Sequence, residues 1–365
     1  MKAHTALDRA GIEQVRAAVA PVRSRGPLSD ALCSILSRPG PRPNPSQSIG
    51  HLPEAAREAL ASSGSVIEDE DLQLSLFLLY GSAYGSLRWI DASWEWHPDL
   101  IATRGLLEQA FEAHMRSAVS VEEVPQASRE AVAAWLFTAT APGPGPSLAR
   151  FVAKRASLEQ AREFLIQRSI YTLREADPHS WAIPRLTGRS KAALVEIQSD
   201  EYGGGDPARV HAAIFARTMR GAGLDDRYGA YVDDVPALTL ASQNMMSMFG
   251  LNRRLRGAIV GHLAAFEMTS SLPNRLYGDG FRRLGFGPEV TAYFDEHVEA
   301  DAVHEQIAAR DLAGALAEDE PALLDDILFG ALACLRMDTW VGDRLLDAWQ
   351  DGRTTLRRAR TPGGE

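Results

Sequence analysis

Between Gly287 and Ala309 an apolar stripe recurs at helical spacing: Val290, Phe294, His297, Asp301, His304 and Ala308. Steps of three and four residues place these positions on one face of a helix, the face that meets a core. Two imidazoles and a carboxylate thus stand where Leu or Ile would be ordinary. Burying them costs several kcal/mol unless they are hydrogen-bonded, paired or bound to a metal. His and Asp together suit iron, manganese or zinc. The stripe therefore predicts a helix whose inner face needs partners from other helices, as in a bundle built around a metal.

Other segments offer such partners. Lys191–Tyr202 reads as a helix stopped by Gly203-Gly204-Gly205, with Leu194, Ile197 and Glu201 on one face, and with Glu196 and Asp200 turned to solvent. Asp206-Pro207 predicts a helix restart, an N-cap followed by proline, in which His211 shares a face with Ile214 and Phe215. A third helix, from Asn252 to Ser270, places Glu267 one turn after Leu263. Its Gly257 and Gly261 permit close backbone approach at some cost in helix propensity. A fourth, from Ser157 to Ala176, ends with Glu175 before Asp177-Pro178 breaks it.

Each residue has a simpler reading: a solvated Glu175 at a helix end, a Glu201 paired with Arg, a Glu267 bonded to a helix terminus, a half-solvated His211. Their joint inventory, carboxylates and imidazoles from several helices, is that of a carboxylate-bridged di-iron or di-manganese centre. His97, before Pro98, starts a turn, and His262 on the Glu267 helix is a supporting candidate rather than a ligand.

In this order the residues resemble the haem-oxygenase-like di-metal oxidases, the iron-containing redox enzymes. The pattern is a Glu, a second Glu followed by a His, a third Glu, then His-x3-Asp-x2-His. It corresponds here to Glu175, Glu201, His211, Glu267, His297, Asp301 and His304. The resemblance spans about residues 155–349. It implies an all-α, haem-oxygenase-like seven-helix bundle without haem, with those residues holding two Fe(II) ions, O2 as co-substrate and an external reductant. The interval from Glu201 to His211 is longer than in the fatty-acid decarboxylating branch. That favours an amino acid or amine as the small-molecule substrate, through N-oxygenation, desaturation or C–C cleavage. A fatty-acid oxidative decarboxylase and a non-catalytic iron-binding or oxygen-sensing protein are the alternatives.

Proline-rich stretches at residues 38–46 and 141–147 divide the pattern into an N-terminal helical region (1–145), an oxidase bundle (146–352) and a frayed tail (353–365). Two short helices precede the first stretch. Helices over Leu72–Leu87 and Leu100–Ala118 are expected to meet around Trp89, Trp94 and Trp96, in core or dimer packing, and by resemblance the N-terminal region supports a homodimer. The breakers Pro273, Gly278, Gly280, Gly285 and Gly287 predict a boundary after the Glu267 helix, with Arg275 and Tyr277 as candidates to line an entrance and a solvated face as the simpler reading of the arginines there. A net charge of −10 without a basic run argues against nucleic acid. No apolar run reaches membrane-spanning length. Two cysteines without ligand spacing and no apolar leader fit a cytoplasmic protein.

Overall fold

The computed structural model describes residues 19–41 and 49–357, excepting the side chains of residues 299–303. Among these residues there is helix and no strand. In chain order the helices are α1 (Pro27–Leu36), α2 (Leu52–Ser62), α3 (Glu70–Tyr84), α4 (Pro98–Ala118), α5 (Arg129–Ala139), α6 (Leu148–Lys154) and α7 (Leu158–Thr172). They continue with α8 (Asp177–Ser180), α9 (Gly188–Glu201), α10 (His211–Gly221), α11 (Ala237–Leu251), α12 (Arg256–Arg283), α13 (Pro288–Gln306), α14 (Ala315–Asp319) and α15 (Leu324–Gln350). Between α13 and α14, Ile307–Gly314 forms a π-helix, the wider-wound form that recurs near functional sites.

The centre of the fold is α12, packed against α15, α13 and α6. Close approach explains its glycines. A methyl on Gly261 would overlap the Ile327 carbonyl oxygen, and one on Gly330 of α15 would overlap that of Ala258. The expected boundary after Glu267 does not form, because α12 runs unbroken through Pro273, Gly278 and Gly280 to Arg283. Near the proline, the Thr269 and Ser270 hydroxyls bond back to the Ala265 and Glu267 carbonyls (2.7 and 3.1 Å). At Gly280 a side chain would strike the Val152 carbonyl oxygen, so this glycine serves packing against α6.

Other expectations are corrected locally. The helix after the glycine triplet starts at His211, not at Asp206-Pro207. Gly203, Gly204 and Gly205 all have positive φ, which glycine tolerates. Asp206 caps only a turn, accepting from the Ala208 N–H at 2.9 Å. The tryptophans do not gather: Trp94 is buried against the His97 ring, whereas Trp96 is 75% exposed. His97 itself caps α4, accepting from the Asp99 N–H. At the C-terminal end residues 353–357 are tied down rather than frayed. Thr354 and Thr355 donate to Glu163 (2.7 and 2.5 Å), and Arg357 pairs with Glu70 at 3.1 Å. Residues 1–18, most of the first proline-rich stretch (42–48) and 358–365 lie outside the described residues. No helix among those described is long and apolar enough to cross a membrane.

Candidate metal centre

Glu175 follows α7 in a short turn, held by Ala176 in the left-handed conformation at φ 72°. Such a conformation costs a non-glycine residue of order 1 kcal/mol and persists where its surroundings enforce it. Here the Gln198 amide donates to the Ala176 carbonyl at 3.0 Å. Glu201 ends α9, His211 starts α10, Glu267 lies within α12, and His297 and His304 lie on α13. All six are buried.

They form two groups that share one residue. Glu175, Glu201, His211 and His297 bring one potential ligand atom each within 4.8 Å of one another, and Glu201, Glu267 and His304 do the same. Asp301 is on the same helix, but its side chain is outside those described. The sequence-predicted residues are thus brought together in every case where the side chain is described.

The internal contacts are close yet poorly directed. His211 Nδ1 lies 3.0 Å from Glu201 Oε2 and His304 Nδ1 lies 3.3 Å from Glu267 Oε2. Even so, Glu201 Oε2, His211 Nδ1 and His304 Nδ1 have no hydrogen-bond partner of acceptable geometry. Angle decides here, because a short contact at a poor angle is not a hydrogen bond. Two imidazoles are also oriented from behind. His297 Nδ1–H donates to the Tyr293 carbonyl at 2.7 Å, leaving Nε2 to face Glu175 at 3.7 Å. His304 Nε2–H donates to Asp200 at 3.0 Å, which turns Nδ1 toward Glu267. Fixing one ring nitrogen as a donor leaves the other free to bind a cation, the usual support of a metal-ligating histidine.

Titration behaviour follows from burial opposed by pairing. Burial pushes Glu175 up, but His297, His211 and the Tyr293 hydroxyl outweigh it and hold the carboxyl below its ordinary value. Burial pushes Glu267 up, Glu201 adds to this, and the opposing pull of His304 is insufficient. For His211 burial lowers the pKa, and the Glu201 carboxylate more than reverses it. The same opposition, with Glu267 and Asp200 as partners, raises His304 to about 9.

The site also contains residues beyond the expected ligands. Tyr293 donates to both Glu175 oxygens at 2.7 and 2.8 Å. It lies one helical turn before His297, so a wider stripe would have included it. Asp200, expected to face solvent, is largely exposed, yet it reaches His304. His179 and His262, both buried, face each other at 3.2 Å. Burial depresses both rings, His262 to about 3, and the neighbouring His262 adds to the effect on His179. They therefore stay neutral and share a proton bond, with His262 supporting His179 at the wall of a small cavity of about 20 Å³ enclosed by the cluster. Of the expected entrance pair, Tyr277 is buried beside Phe164 and lines a larger cleft, whereas Arg275 points to solvent.

A family model described as iron-containing redox enzyme matches residues 162–339. Those residues belong to the iron-containing redox enzyme family. The matched stretch holds every candidate ligand from Glu175 to His304, so the family and the buried cluster coincide. The all-α fold agrees with the haem-oxygenase-like architecture of this redox family. No curated protein matches the chain.

Proposed function

We propose that this protein is a non-haem di-iron oxidase or oxygenase that uses O2, two Fe(II) ions and an external reductant to oxidise a small amino acid or amine. The observation that carries the reading is the sharing of Glu201 by two buried groups in which Glu201 Oε2, His211 Nδ1 and His304 Nδ1 converge without directed hydrogen bonds. A purely structural cluster would pair its donors and acceptors. Mixed carboxylate oxygens and imidazole nitrogens suit iron(II).

In this reading Glu175, Glu201, His211, Glu267, His297 and His304 would hold the two irons. The resemblance adds Asp301, whose side chain lies outside those described. When bound, the irons supply O2 activation and the redox equivalents for substrate oxidation. The protein's own part is placement and proton control. Tyr293 holds both Glu175 oxygens and fixes the tautomer of His297 through its carbonyl. His304, protonated near neutrality without metal, must release that proton to offer Nδ1 as a ligand. Leu263 and Phe266 line the small cavity and limit water.

Anaerobic loading with Fe(II) is expected to give about two irons per chain. Substrate-dependent O2 uptake should follow. Tight binding of a single zinc with no iron under any loading condition would overturn the proposal. Two irons with slow O2 uptake that no amine, amino acid or fatty acid alters would favour an iron-binding or oxygen-sensing role. An open cleft beside the cluster favours catalysis between these two, since sensing needs no room for an organic substrate.

A further inference from the structure

The cleft beside the cluster has a volume of about 570 Å³ and opens to the surface between α7, α11, α12 and α15. Arg168, Tyr171, Phe266, Ser270 and Asn274 line both this cleft and the small cavity at the cluster, so the two spaces adjoin. Arg168 stands at the junction. Its guanidinium lies 5.5 Å from the Phe164 ring centre and 5.9 Å from that of Tyr277, and its Nε has no hydrogen-bond partner.

Asp338 of α15 lies on the wall of the cleft only. Its side chain is reached by solvent in the cleft, yet it is surrounded by enough protein to raise its carboxyl to about 6, with Arg168 opposing the rise. It is therefore mostly ionised at neutral pH. Among the described residues neither Arg168 nor Asp338 forms an ion pair with a protein group within 4 Å. Arg168 is partnered toward the cluster by the Tyr293 hydroxyl and the Glu175 charge, but its five-donor guanidinium and the exposed Asp338 carboxylate both keep hydrogen-bonding capacity for a ligand in the cleft. A ligand bearing both complementary charges engages both, and one bearing a single charge leaves the other group without a ligand partner.

We propose that Arg168 and Asp338 select a substrate that carries both a carboxylate and a protonated amine, an amino acid rather than a simple amine or a fatty acid. The carboxylate meets Arg168 at the junction with the cluster, and the amine meets Asp338 on the outer wall. Phe164, Tyr277, Phe266 and Met246 supply apolar contact for the carbon skeleton. The proposal rests on the di-iron reading only in calling the ligand a substrate; binding itself is testable without iron.

The test is calorimetric titration of the iron-free full-length protein with L-lysine, L-leucine and L-tyrosine, each beside the amine lacking its carboxylate and the acid lacking its α-amine. At least one amino acid is expected to bind about ten-fold or more tightly than both of its counterparts, the scale of one charged hydrogen-bonding partner. Arg168→Gln should erase the advantage over the amine, and Asp338→Asn the advantage over the acid. Circular dichroism checks folding. Should Arg168→Gln not fold, Asp338→Asn decides alone, since its side chain borders open solvent. The proposal is overturned if no amino acid binds the unsubstituted protein, if its counterparts bind equally well, or if the variants keep the preference. Iron content, measured separately, should be the same in Asp338→Asn as in the parent. Absence of iron from the parent would end the di-iron reading and leave the binding result standing.

Discussion

Two buried acidic clusters in this fold differ in how their charges are met. Between α3, α4 and the start of α12, Glu108 accepts from the Tyr80 hydroxyl at 2.9 Å and from the Asn252 amide at 3.0 Å. Its neighbour Glu112 pairs with Arg116 at 2.9 Å and Arg254 at 2.5 Å. Each carboxylate there faces donors. In the cluster around Glu201, His211 Nδ1 lies 3.0 Å from Glu201 and His304 Nδ1 lies 3.3 Å from Glu267, yet Glu201 Oε2 and both of these ring nitrogens have no directed partner. Both clusters include a tyrosine that donates to a buried glutamate. Burial and tyrosine donation alone therefore do not distinguish a structural site from a functional one. The distinction lies in whether lone pairs are spent on donors or left converging on a common point.

The largest expected effect separates the clusters by what each loses. Glu201→Ala or His297→Ala should abolish iron loading and iron-dependent O2 uptake with little loss of helicity. In the iron-free protein Glu201→Ala should be close to neutral or stabilising, because it relieves repulsion among neighbouring carboxylates. Glu108→Ala should leave iron content unchanged and cost about 2–3 kcal/mol, since it strands Arg104 and two hydrogen-bond donors. Iron analysis together with urea melts reads both. Loss of iron in Glu108→Ala would break the comparison.

A pH dependence should come next in size. His304 is raised to about 9 in the folded protein from an unfolded value of about 6.5. Between these values the folded chain binds the extra proton, so stability is fully present below about 6.5 and falls as pH rises through about 9. The loss in iron-free protein should reach about 3 kcal/mol at most. Iron-loaded protein, with His304 held neutral, should lack this slope. Denaturation curves with and without iron, collected from pH 6 to pH 10, measure it. An identical slope in His304→Gln would assign it elsewhere.

The tyrosines give a smaller contrast. Tyr80→Phe should cost about 1 kcal/mol of stability and leave iron affinity intact. Tyr293→Phe should weaken iron affinity by about ten-fold, the scale for groups that orient a metal ligand. Competition with a chelator and thermal melts on both variants test the pair. Equal effects of the two substitutions on iron would mean that the difference between the clusters has been misread.

What could be read from the sequence follows the same physics. Polar residues on an apolar helical face are conspicuous, so His297, His304, Glu201 and Glu267 could be picked out from periodicity. Glu175 was legible only as the end of a helical face, whereas it lies past the end of α7 in a turn set by Ala176. Tyr293 carries no signal of its role in the sequence, because a hydroxyl reveals its partner only in three dimensions. Breaker counting failed at Pro273 and Gly280: tertiary packing of α12 against α15 and α6 overrides local propensity there. Arg168 and Asp338 are far apart in the chain, and no periodicity links them.

The smallest expected effect concerns the far side of His304. Asp200 accepts from His304 Nε2 at 3.0 Å, but its side chain is 63% exposed, so water screens much of its charge. Asp200→Asn keeps an amide oxygen that can accept the same hydrogen bond and removes only the charge. The orientation of His304 should persist, iron stoichiometry should be unchanged, and affinity should fall by only a few-fold, below the range for buried supporting groups. The upper edge of the stability loss described for His304 should move to slightly lower pH, because one of the groups that raises its pKa is gone. Asp200→Leu removes the acceptor as well and should have the larger effect of the two. If Asp200→Asn alone emptied the site of iron, Asp200 would be acting as a ligand rather than orienting one, and the division between groups that face inward and groups that hold them from behind would have to be redrawn.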